Sequence, residues 1–113
     1  MHKYIHDAMA RVVYEIPHEP TVIDQKDNRG RRVSWSVSME IRITRADNKL
    51  NGNRWEHATS AYPTQSFDAH YTKEEVISYF LMHHEPTGES ISREQYMELQ
   101  AQYEAIARER SGE

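Results

Sequence analysis

From Val33 to Thr44 the chain alternates without a break, with Val33, Trp35, Val37, Met39, Ile41 and Ile43 on one parity and Ser34, Ser36, Ser38, Glu40, Arg42 and Thr44 on the other. Side chains on a strand point alternately to opposite faces, so this register predicts one long, half-buried strand. The flanking residues complete a three-stranded antiparallel meander. Thr21 to Asp24 reads as a short strand, and Lys26-Asp27-Asn28-Arg29-Gly30 as a turn of residues that tolerate positive φ. Behind a second loop containing Asn51-Gly52, Trp55, His57, Thr59 and Ala61 alternate with Glu56, Ala58, Ser60 and Tyr62. The expected strands cover about 20–25, 32–45 and 53–62.

Helical spacing replaces alternation toward both ends. Tyr4, Ile5, Ala8, Met9, Val12 and Val13 predict a short amphipathic N-terminal helix, with a strand from Arg11 to Ile16 as the competing reading because Val12 and Val13 are β-branched. Pro63 closes the sheet, and Thr64 to Tyr71 is a connection without clear period. Thr72-Lys73-Glu74-Glu75 and Ser92-Arg93-Glu94-Gln95 are capping boxes, which predict helices over about 73–84 and 93–110. Val76, Ile77, Phe80 and Leu81 form the buried stripe of the first helix. In the second, Tyr96, Leu99, Tyr103 and Ile106 form a narrow seam suited to another helix or to the apolar face of the sheet. Residues 1–113 thus read as a single small α+β domain, with the N-terminal helix and both C-terminal helices packed on one face of a three-stranded sheet. This order of elements resembles the double-stranded RNA-binding domain in topology. Such domains hold phosphates with lysines at the start of the helix after the sheet, whereas this chain has Lys73-Glu74-Glu75 there.

Composition limits the core. Val, Ile, Leu and Phe supply 19 of 113 residues, about 17%, but the net charge of −4 is too small to imply disorder. Tyrosine, methionine and tryptophan must therefore fill the interior, and such a small core gains from self-association or a partner. The absence of cysteine excludes disulfides and thiolate metal sites and fits a cytoplasmic location. No segment reads as a signal peptide or a membrane span. Residues 1–62 carry ten Lys/Arg against eight Asp/Glu, and residues 63–113 four against ten.

Catalytic motifs are sparse. His2 and His6 have a helical zinc-ligand spacing, with Asp7 nearby, yet no third ligand follows at a fixed interval, so neither a metal nor a cofactor is assigned. Ser66, Asp68 and His70 lack the glycine-flanked elbow of a nucleophilic serine, and the isolated Gly30, Gly52, Gly88 and Gly112 form no phosphate loop. These patterns favour a non-enzymatic interaction module; a small metal-dependent enzyme on His2 and His6 is the remaining catalytic class.

The candidate partner-binding residues fall into two sets. Arg29, Arg31 and Arg32 lie at one end of the long strand, with Arg42, Arg45, Lys49 and Arg54 at the other, and both clusters suit an acidic protein surface or, alternatively, a nucleic-acid backbone. Overall acidity and the lack of outward aromatics on the strand argue against nucleic acid, and the same charges also suit ordinary turns and edges that discourage edge-to-edge aggregation. Tyr96, Leu99, Tyr103 and Ile106 suit a homodimer through paired helices. Small, cysteine-free, slightly acidic chains without motifs resemble, in general character, phage and mobile-element accessory proteins that bind and inhibit a host complex, of the anti-CRISPR or anti-restriction type. That resemblance implies a cytoplasmic protein whose partner is a host protein.

Overall fold

The predicted long strand is two strands belonging to different sheets. The structure, a computed structural model, describes residues 2–51 and 54–110, without the side chains of 48–51, 54–56 and 110. Its described residues form eight strands in two antiparallel sheets, of five and three strands, with two helices; this replaces the expected single three-stranded sheet with three helices. Strand β4 (Arg32–Ser38) lies in the three-stranded sheet and β5 (Ile41–Asn51) in the five-stranded one, and Met39-Glu40 joins them. Trp35, Val37, Met39 and Ile41 are each no more than 6% exposed, so parity survives the junction. Alternation reports which side of a strand is buried and is silent on which strands it pairs with.

One compact unit draws its described residues from 1–17, 41–61 and 86–113. Its sheet runs in the order β6 (Arg54–Ala61), β5, β2 (Val12–Ile16), β1 (Lys3–Asp7), β8 (Glu89–Ser90). The expected N-terminal helix is instead the β1–β2 hairpin, and the competing strand reading of 11–16 describes its second half. Asp7 Oδ1 accepts the Ala10 N–H at 3.1 Å across the turn, and Arg11 takes a left-handed φ of 56° to re-enter the sheet. Helical spacing misled because both faces of this sheet are apolar. The pairing register puts Ile5, Val12, Ile16 and Ile41 on one face and Val13 and Thr44 on the other, and all six are buried. Neighbours of opposite parity are then both hydrophobic, and a buried strand imitates a helix stripe.

Helix α2 (Arg93–Arg110) packs mainly on β5 of this sheet, where Tyr96 and Tyr103 join Val13 and Ala46 in the core. Tyr4, Ile91, Leu99 and Ile106 pack around that cluster. Its capping box forms as the residues require, with the Ser92 hydroxyl accepting from the Gln95 N–H at 3.1 Å and the Gln95 Oε1 accepting from the Ser92 N–H at 3.0 Å.

The second unit draws on residues 18–40 and 62–85. Its sheet has the order β3 (Thr21–Lys26), β4, β7 (Thr64–Asp68), and α1 (Lys73–His84) packs on β4. Strand β7 occupies the stretch expected to be a connection. It is five residues long and only Phe67 is apolar, too little to declare a period, yet its pairing sets Phe67 beside Trp35. Val76 and Phe80 of α1 are fully buried, and Thr72 forms both bonds of its capping box with Glu75. The two helices therefore cover separate sheets, and the topology of the double-stranded RNA-binding domain is not present. No described helix is long and apolar enough to cross a membrane.

Gly88 is a fixed point of the first unit. Its φ is +152°, and a Cβ there would lie 2.6 Å from the His6 carbonyl oxygen and 2.8 Å from Ile5 Cγ2. This close approach brings β8 against β1, where Ser90 pairs with Ile5 and the Ile91 N–H donates to the Tyr4 carbonyl at 3.0 Å. Gly88→Ala is expected to cost ~1–3 kcal/mol of stability through backbone strain and overpacking. Urea unfolding should show this as a lower midpoint at unchanged slope, and an unaltered midpoint would mean that β8 is not held there.

Candidate functional site

The first unit has a groove of about 430 Å³ floored by β5 and β6 and walled by α2. The cross-strand register builds it. Arg42 pairs with Glu15 on β2 and with Ser60 on β6, while Thr44 pairs with Val13 and Ala58, so these side chains share the face that α2 covers. Helix α2 contributes Tyr96 and, one turn on, Gln100. Ala58 and Ser60 are exposed, and among the described residues β6 pairs with β5 alone, which leaves its other edge open beside the groove.

Electrostatically the groove is balanced. The Glu15 side chain is only 15% exposed and lies 3.5 Å from Arg42 Nη1 and 3.2 Å from His2 Nε2. A largely buried carboxylate paired with the Arg42 guanidinium leaves little net field, so the walls offer hydroxyl, amide and guanidinium groups to neutral polar matter. Tyr96 shares a hydrogen bond with Thr44 and packs on the Tyr4 ring at 4.8 Å. Burial, and behind it the Glu15 carboxylate, push its hydroxyl up from 10.0 to about 12.

The residues singled out from sequence disperse. Arg42 and Tyr96 meet in the groove. Arg45 is on β5 opposite Val12, on the other face of the sheet. Lys49 and Arg54 fall within β5 and β6, but their side chains lie outside the described residues, as does Gly52. Arg29, Arg31 and Arg32 belong to the second unit, at the β3–β4 turn. Tyr96, Leu99, Tyr103 and Ile106 are occupied within their own unit, so the seam docks on the sheet and does not face outward as a helix-pairing surface. Glu15, Thr44, Ala58, Ser60 and Gln100 were not legible as site residues. Opposite charges at Glu15 and Arg42 become neighbours only when β2 is known to pair with β5.

No family model, curated protein or solved structure matches the chain. Its chemistry must therefore be read from its own side chains. His2 immediately precedes β1 and His6 lies within it, where four residues span about 13 Å, so the helical chelate spacing does not exist. His2 faces Glu15, and His6 Nε2 is 2.7 Å from the Tyr103 hydroxyl. Among the described residues no group of three His, Cys, Asp or Glu side chains could hold a metal ion. Ser66 and Asp68 share one parity of β7, and His70 packs on Tyr71 at 4.1 Å.

Tyr96 provides a pH signature of the groove. Between pH 10 and 12 the unfolded chain has lost this proton and the folded chain retains it, so stability should fall as pH rises through that window. Phenolate absorbance of the native protein should show one tyrosine ionising near pH 12, absent in Tyr96→Phe and returning to about 10 in urea. Complete titration of the native protein near pH 10 would mean that Tyr96 is not buried beside Glu15.

Proposed function

We propose that the protein is a non-enzymatic, cytoplasmic interaction module that captures an extended segment of another protein at the β6 edge. The observation that carries this reading is the open edge lying along a polar groove under α2. A strand added to an edge gains affinity from main-chain hydrogen bonds and specificity from pockets that receive alternate side chains. Here β6 offers the first through 57–61, and Arg42, Ser60, Tyr96 and Gln100 offer the second. Because Glu15 already balances Arg42, the favoured guest presents polar, uncharged side chains to the groove. Inhibition of a host complex, the role that chains of this character imply, would follow from withdrawing a strand that the complex needs for its own assembly.

The test is selection from a displayed library of random peptides on the full chain, followed by hydrogen exchange. Selected peptides should slow amide exchange in residues 57–61, and Ala58→Arg, which fills the groove from an exposed position, should weaken them by about tenfold or more without shifting the melting transition. Ligands indifferent to Ala58→Arg would end this reading. Protection of β6 by concentration alone, with doubled native mass, would replace the guest segment with a second copy.

A further inference from the structure

The second unit carries a turn that is built more firmly than a solvent loop requires. In the β3–β4 connection the Asp27 N–H donates to the Arg31 carbonyl at 2.9 Å and the Gly30 N–H to the Asp27 carbonyl at 3.0 Å, with Gly30 at a left-handed φ of +79°. Asp27 Oδ1 then accepts from two further backbone donors, Arg29 N–H at 2.8 Å and Arg31 N–H at 2.9 Å. The Asp27 carboxylate is thus committed to the backbone of its own turn. Arg32 is committed as well: its Nε and Nη2 reach Asp24 at 2.9 and 3.0 Å, and its guanidinium lies 4.0 Å over the Trp35 ring. These two hydrogen bonds from Arg32 hold the Asp24 carboxyl below its ordinary range. Arg29 and Arg31 remain, two residues apart on a held turn, and among the described residues their guanidinium groups have no partner.

Strand direction brings a largely buried aromatic cluster beneath the same end of this sheet. Strand β3 ends there, β4 begins there, and β7 leads there into Tyr71 and the start of α1. The Trp35 Nε1–H donates to the Tyr71 carbonyl at 2.9 Å, and the Tyr71 ring meets Phe67 and Tyr79 edge-on at 6.4 and 5.5 Å.

We propose that the β3–β4 turn is a second docking surface, which takes an acidic protein segment by placing its carboxylates on Arg29 and Arg31. A pair of guanidinium groups on a held backbone suits discrete carboxylates, each able to take paired N–H bonds, and the ordered turn reduces the entropy lost on docking. A continuous polyanion fits less well. The same end of the unit carries Lys26, Arg29, Arg31, Arg32 and Lys73 but also Asp24, Asp27, Asp68, Glu74 and Glu75, so a nucleic-acid backbone would meet as many carboxylates as cations. The surface belongs to the other unit from the groove and stands whether or not the β6 edge captures a strand.

The experiment titrates isotope-labelled full-length protein with a short peptide carrying two glutamates among neutral residues and, separately, with oligothymidylate, following amide and indole signals by NMR. Expected are shifts at Arg29, Arg31 and the Trp35 indole with the peptide, and a loss of about tenfold or more in affinity for Arg29→Glu with Arg31→Glu. Asp27→Ala separates a built site from mere positive charge. It makes the turn more cationic while removing its internal acceptor, so affinity should fall by about threefold or more if the held geometry matters and rise if charge alone does. A rise, an absence of shifts at millimolar peptide, or tighter and steeply salt-dependent binding of oligothymidylate would each overturn the proposal, the last in favour of nucleic acid.

Discussion

The first unit depends on the burial of one central strand. Val13 is inaccessible to solvent, paired to His6 on one side and Thr44 on the other, and covered by Tyr96 and Tyr103 from α2. Everything on the helix-facing side takes its register from that residue. A slip of one position on β2 would carry Val13 to the opposite face and bring Glu15 with it, dissolving the ion pair with Arg42. The interaction that fills the core is therefore also the one that places the charges of the groove.

Scarcity of aliphatic side chains explains the form this core takes. Tyrosines span the space between helix and sheet, and each has a hydroxyl that must be satisfied: Tyr96 at Thr44, Tyr103 at His6. A ring with a polar tip belongs at the boundary of a core, with one end dry and the other near water. The groove opens at such a boundary, beside Tyr96, and its polarity is a consequence of how this chain compensates for having few leucines.

Local signals in the sequence were accurate where the chain's own neighbours decide the structure. Both capping boxes form, the helices start at Lys73 and Arg93, and the Asp27–Gly30 turn joins two strands. Errors arose where a distant partner decides. The Val33–Thr44 alternation continues through Met39-Glu40 because both segments bury the same parity, although their strand partners differ. Residues 3–16 have apolar groups on both faces, which erases the period of two, and β7 is too short and polar to show any period. The groove was hidden for the same reason, since it joins β2, β5, β6 and α2 and no two of its charged residues are close in sequence.

The two edges of the five-stranded sheet are unlike. At one end β8 has only two residues, Glu89 and Ser90, tied down through Gly88; at the other β6 runs for eight. A sheet with two long edges can be extended from either side and propagate as a fibre, each added copy exposing a new edge for the next. This sheet has a long edge on one side alone among its described residues. Two copies joined edge to edge through β6 would leave only the two short β8 edges outside, so that such a pair would not template further growth.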